Sequence, residues 1–417
     1  MINKRKSLAV DPRAWECWRI AVMSHPSASR HGTVFVGSSF AAKYPEGGGN
    51  FSVPLQWVLG LRRMGVDFIW LEILMSTRDP VRDAANIRAF QRRLREFELS
   101  DHYCLLLIDA ADAKTPSLEK AHFHGLTRRE LADRLAGPNT LLNLSSSVEM
   151  PLLETFDRRI YCSLDPTEMC FWMSRMELGQ STHHAFWTIG LATNDPTIPM
   201  RRLAPLVVDW KTFFPMVDTT LLVPAPRPRR NRFTTVGQWY WDGCLEVDGE
   251  YPDFSKKQAL AKFSGLPDLV PGAQFDLGIF LHPDDPEIDH VRAGGWGRPR
   301  PEIIARTPRR YYRFIRDSLA EFTPVKLEAS MGSGWLSDRA AAYLAIGRPV
   351  VTEPTGAEPY LPEESGMFFV RTAEEAAEAC QRVISDWPRL SKHARSAAVE
   401  CFDSVPNLRR ILGDLPS

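Results

Sequence analysis

Gly332-Ser333-Gly334-Trp335-Leu336-Ser337-Asp338-Arg339 leads into the apolar run Ala340–Ile346, then Gly347-Arg348-Pro349 and the strand-like Val350-Val351-Thr352. Glycines let a loop approach a ligand closely. Ser337 is placed to cap a new helix, and the N–H groups and dipole at that helix's start favour a diphosphate. Loop, helix and strand in this order are one step of an α/β chain.

At 417 residues the chain is long enough for two domains of roughly 200 residues, each able to bury a full sheet with its helices. Lys plus Arg and Asp plus Glu both number 51, so no global charge bias gathers polyanions or holds a membrane surface. Nucleic acid is therefore not indicated. The seven cysteines are scattered and odd in number, with no C-x-x-C pair, which is the pattern of reduced thiols in cytoplasm. Lys4, Arg5 and Lys6 have no apolar segment behind them, and no stretch approaches ~18 uncharged apolar residues. The expectation is a cytoplasmic protein without a membrane span.

Residues 1–32 have weak periodicity and read as an N-terminal extension. From Thr33 the rhythm is strand, loop, helix, strand: Thr33–Gly37, the glycine-rich loop Gly47-Gly48-Gly49-Asn50, a helix Pro54–Met64, then Asp67–Leu71. Further strands fit Tyr103–Ile108, Thr140–Leu144, Ile160–Leu164 and Ala185–Ile189, with helices at Arg88–Phe97 and Arg128–Leu135, so 33–202 forms one doubly wound unit. Pro205, Pro215, Pro224, Pro226 and Pro228, interleaved with Arg227, Arg229, Arg230 and Arg232, break the pattern; 203–232 reads as the interdomain linker. A second series over 233–417 has strands at Phe233–Val236, Phe275–Leu281, Glu321–Val325, Pro349–Thr352 and Met367–Val370. Helices fit Lys256–Phe263, Arg309–Ser318, Ser337–Ala345, Ala373–Asp386, Arg389–Cys401 and Asn407–Leu412. The fold class is α/β, with two Rossmann-like domains facing across a cleft.

Gly334–Arg339, Tyr343–Val351 and Thr355-Gly356-Ala357-Glu358 together resemble the donor half of a GT-B glycosyltransferase. Phe233–Trp239, Leu55–Gly65 and Leu141–Ser145 extend the likeness to a largely uncharacterised bacterial group of that fold, over most of residues 33–412. The resemblance implies that the second domain binds a nucleoside-diphosphate sugar, UDP-like by analogy, as co-substrate. It also implies that the first domain presents a hydroxyl-bearing small-molecule or glycan acceptor, and that transfer occurs in the cleft with no obligatory cofactor or metal. An epimerase or phosphorylase of the same fold, or a non-catalytic nucleotide-sugar-binding module, shares those features. The paired glutamates of many retaining members would fall near Ser333 and Ala341, neither of them acidic.

The donor site is therefore placed on Gly334, Trp335, Leu336, Ser337, Asp338 and Arg339, with Arg339 pairing a phosphate oxygen. Lys326, at the end of a strand, is placed to neutralise charge on the leaving diphosphate. Gly356 gives close backbone approach and Glu358 accepts from ribose or sugar hydroxyls, because ligands of open α/β sheets bind beyond the strands' carboxyl ends. Gly237 and Gln238 occupy the equivalent position after the second domain's first strand, and of Trp239, Tyr240 and Trp241 at least one belongs to the core. Gly49, Asn50 and Phe51 form the acceptor loop. Asp165, after the apolar Ile160–Leu164, is the candidate general base. The pairs His183-His184 and His122-x-His124 lack further ligands at zinc spacing, so no metal site is expected.

Overall fold

The protein is described by a computed structural model covering residues 32–413 except 46, 113, 241–244, 248 and 283. Apart from Gly32, the expected N-terminal extension lies outside the described residues, as does Trp241.

The first sheet is built from β1 (Thr33–Ser38), β2 (Phe68–Met75), β3 (Tyr103–Ile108), β4 (His122–Gly125), β5 (Asn139–Leu144), β6 (Arg158–Ser163), β7 (Ala185–Thr188) and β8 (Trp210–Thr212). Their spatial order is β4-β3-β2-β1-β5-β6-β7-β8, all parallel except β4, which runs antiparallel to β3 at the edge. Runs such as Tyr-Cys-Leu-Leu-Leu-Ile in β3 are almost wholly buried because helices cover both faces of a parallel sheet. Those helices include α1 (Gly48–Arg63), α2 (Pro80–Glu96), α3 (Arg128–Leu135) and α4 (Pro166–Met173). Asp79 starts α2 by accepting from the Val81 and Arg82 amides, and Thr127 with Glu130 forms a reciprocal cap on α3.

The second sheet takes β9 (Asn231–Gln238), β10 (Ala273–Phe280), β11 (Ala320–Thr323), β12 (Val350–Thr352) and β13 (Met367–Phe369), ordered β10-β9-β11-β12-β13 and entirely parallel. Around it lie α5 (Lys256–Ala261), α6 (Glu287–Ala293), α7 (Pro308–Arg316), α8 (Asp338–Ala345), α9 (Ala373–Ser385) and α10 (Trp387–Ala397); the last helix is α11 (Ser404–Gly413). Each sheet reverses its strand order at its first strand, between β1 and β5 and between β9 and β11. A crevice forms outside the carboxyl ends at such a reversal, and here the two crevices open onto one cleft.

Two local expectations are corrected. Gly48, Gly49 and Asn50 are not a loop but the first turn of α1. A Cβ on Gly48 would stand 2.4 Å from the Ala305 carbonyl oxygen, so that glycine lets the helix start pass against the second domain. The proline-rich 203–232 is not all linker: Trp210–Thr212 is β8, and β9 already begins at Asn231.

The chain also returns. After α10 and a π turn at Ala398–Phe402, α11 crosses back and packs on α1, where a Cβ on Gly60 would lie 2.5 Å from Leu408 Cδ1. Val217 and Asp403 pair as a parallel bridge beside the crossing, and Arg63 reaches the Asp403 carboxylate at 3.0 Å and that of Asp218 at 3.3 Å.

Candidate active site

The cleft holds a cavity of about 490 Å³ lined from both domains. From the first sheet come Phe40 and Tyr44 beyond β1, Ser145 beyond β5 and Asp165 beyond β6, together with Gly49 and Asn50 at the start of α1. From the second come Gly237 and Gln238 at the end of β9, Lys326 beyond β11, Lys256 at the start of α5, and Trp335, Ser337, Asp338 and Arg339 around the start of α8. Ser337 caps α8 as its position implies, with Oγ accepting from the Arg339 amide at 3.1 Å.

The other predicted residues do different work. Gly334 has φ +76°; its amide donates to the Thr355 carbonyl at 2.8 Å and its carbonyl accepts from the Leu191 amide at 3.3 Å. A Cβ there would lie 2.5 Å from the Ala192 nitrogen, so Gly334 serves domain contact and its N–H is not aimed at a phosphate. Leu336 is buried in the second domain's core, and Phe51 packs among Trp70 and Phe90 in the first; neither lines the cavity. Gly356 packs against the Gly332 backbone and Glu358 opens a short 3₁₀ turn, both away from the cavity wall. Trp239 belongs to the core, whereas Tyr240 is exposed with its hydroxyl donating to Asp285.

Arg339 needs the largest correction. Its Nε pairs with Glu321 of β11, one terminal nitrogen donates to the Val236 carbonyl at 2.7 Å and the other to Thr323 Oγ1 at 2.9 Å. Glu321 is fully buried, and burial pushes its proton affinity up while Arg339 opposes the shift. The guanidinium is thus anchored in the cleft floor by the second domain's own strands while still lining the cavity.

Lys256 supplies the cation that sequence reasoning overlooked. Its Nζ donates to the Pro324 carbonyl at 2.6 Å, and burial, aided by Arg339 and Lys326, depresses its pKa to about 7. A legible signal existed, since Ser255-Lys256-Lys257 puts two lysines in a first helical turn, where the dipole disfavours them. Lys326 lies among Glu328, Asp165 and Glu168, and burial lowers its pKa too. Opposite these cations, Asp165 precedes α4 without capping it, and burial raises its pKa against the pull of Lys326. Burial and the neighbouring Asp165 and Glu328 bring Glu168 to about 7.

The domains touch around this cavity. Tyr312 Oη sits 2.6 Å from Ser52 Oγ and accepts from Gln56 Nε2 at 2.7 Å; Thr167 Oγ1 donates to the Glu328 carbonyl at 2.8 Å; Trp335 Nε1 donates to the Leu164 carbonyl at 3.2 Å. No group of three or more His, Cys, Asp or Glu side chains that could hold a metal ion occurs among the described residues, and no helix there is long and apolar enough to cross a membrane.

Two parallel α/β sheets whose strand-end crevices face one another define the GT-B fold. Solved structures of that fold match across nearly the whole chain. HepE from Anabaena, in complex with UDP and glucose, aligns with a TM-score of 0.53 at 12% identity, covering 93% of this chain and 100% of its own. Sucrose-phosphate synthase from Thermosynechococcus elongatus aligns at 0.52 and 13%, covering 91% and 96%. The N-terminal domain of Candida albicans trehalose-6-phosphate phosphatase aligns at 0.51 and 9%, covering 94% and 99%. No protein-family model and no curated protein matches the sequence.

Proposed function

We propose that the protein is a Leloir-type glycosyltransferase that moves a sugar from a nucleoside diphosphate to a hydroxyl-bearing acceptor. The observation that carries this reading is the polarity of the cleft. Lys256 and Lys326 stand at the strand ends of the second domain, and the carboxylate of Asp165 stands across from them on the first. The cations offset charge on the leaving diphosphate, and Asp165 accepts the acceptor's proton. UDP and UDP-glucose occupy structures of HepE, which makes a uridine donor the first to test. Residues 33–202 then form the acceptor side and residues from 233 the donor side, with Gly49 and Asn50 bordering the acceptor.

Thermal shift with UDP, UDP-glucose and other nucleoside-diphosphate sugars tests the reading. A ligand bound only by the native state at about 100 times its Kd adds about 2.7 kcal/mol of stability. Failure of every nucleoside diphosphate to raise Tm would overturn it.

Lys256→Met should weaken UDP binding by about 1.5–3 kcal/mol, the usual worth of a hydrogen bond to a charged group. In the parent protein, bound diphosphate favours the protonated amine, so affinity should fall as pH rises through about 7. UDP titrates nearby, so the diagnostic is the difference between parent and variant, read by calorimetry across pH. Parallel profiles of equal affinity would remove Lys256 from the donor site. Chelation by EDTA should leave sugar transfer intact, because lysines supply the charge neutralisation; loss restored by Mg or Mn would contradict this.

A further inference from the structure

We propose that Glu353 is a positioning residue of the donor wall, its carboxylate setting where Lys326 stands relative to Lys256. This rests on the reading of both lysines as cations for the leaving diphosphate. β11 and β12 run in parallel register as far as Thr323 and Thr352, and Thr352 Oγ1 donates to the Thr323 carbonyl at 3.1 Å. Pro324 has no N–H with which to extend the ladder. The next amide, that of Val325, donates instead to Glu353 Oε2 at 2.9 Å. Glu353 is 5% exposed and stands behind the wall, outside the cavity that Lys326 lines.

The other oxygen of the same carboxylate accepts from Lys262 Nζ at 2.8 Å. Lys262 directly follows α5, and Lys256 is that helix's first residue, with its Nζ on the Pro324 carbonyl at 2.6 Å. α5 is thus fastened to the Pro324–Lys326 segment at both ends, once directly and once through Glu353. Beyond this point the chain turns, the Lys326 carbonyl accepting from the Ala329 and Ser330 amides at 3.1 and 3.2 Å. The Lys326 side chain therefore leaves a backbone that is held on either side of it. The Lys262 arm is half exposed and adds little by itself, whereas the bond to Val325 is buried and charge-assisted. Without that bond the Val325 amide is buried with no partner, and the segment shifts to find one, taking the Lys326 ammonium with it. Glu353 acts through Lys326.

The test is calorimetric titration of UDP into the full-length parent, Glu353→Ala, Glu353→Gln, Lys326→Met and the double variant Lys326→Met with Glu353→Ala. The fitted stoichiometry counts folded molecules, so lost affinity is read apart from lost fold. Glu353→Ala should weaken UDP binding by about 2- to 30-fold at unchanged stoichiometry, the usual reach of a residue that acts through others. Glu353→Gln keeps an oxygen for the Val325 amide and should recover most of that affinity. With Lys326 already replaced, Glu353→Ala should cost little more. Parent-like affinity in Glu353→Ala, no recovery in Glu353→Gln, or an equal cost in both backgrounds overturns the proposal. Should Glu353→Ala fail to fold, Glu353→Asp, one methylene short of the amide, makes the same comparison. Unchanged affinity in Lys326→Met removes that lysine's donor role and the positioning with it; weakened binding there beside a parent-like Glu353→Ala leaves the donor reading and removes only the positioning.

Discussion

Turnover of Asp165→Asn should fall by about 10²- to 10⁴-fold, the usual worth of a positioned general base, while donor affinity barely changes. Asparagine keeps the shape of the side chain and cannot take a proton. The side chain makes no capping bond to α4, so its replacement leaves that helix start intact. The measurement is kcat with UDP-glucose and an acceptor that supports UDP release, beside a directly determined Kd for UDP. Near-normal turnover would remove Asp165 from the mechanism; loss of binding and folding together would mark it as structural.

Arg339→Ala should destabilise the protein by about 3–5 kcal/mol, because it strands a buried carboxylate. Glu321 is fully buried, and Arg339 is its partner in the ion pair. The sequence suggests the opposite, a phosphate ligand whose removal spares the fold. Urea unfolding decides between them, and a cycle with Glu321→Gln isolates the pair, since Glu321→Gln should recover part of the loss caused by Arg339→Ala. Parent-like stability with weakened UDP binding would return Arg339 to the donor site.

Much of the architecture is legible in periodicity. The runs at Tyr103–Ile108 and Thr140–Leu144 are legible as buried strands because only Asn143 breaks their apolar interior, and Arg128–Leu135 is bounded by its own capping box. Trp210–Thr212 is hidden because three residues among prolines carry no period, and only the open edge of β7 makes them a strand. Where location alone decides, Gly237, Lys326, Ser337 and Asp165 come together around the cavity between the domains. Local spacing says less where a residue's partner lies far along the chain. Gly334 meets Ala192, Gly48 meets Ala305 and Arg339 meets Glu321, and no local spacing announces such contacts. Glycine-rich sequence here marks the places where two domains press together as much as the places where a ligand enters.

The return of α11 to α1 sets an order of events during synthesis. The face of α1 around Gly60 is made early, yet Leu408 and Ser404, which cover it, are among the later residues to leave the ribosome. The first domain therefore waits, with an apolar helix face open, until the second has been translated. A nascent chain stalled before residue 404 carries that face uncovered and is a natural substrate for chaperones and proteases. Closing it requires that both domains have been made.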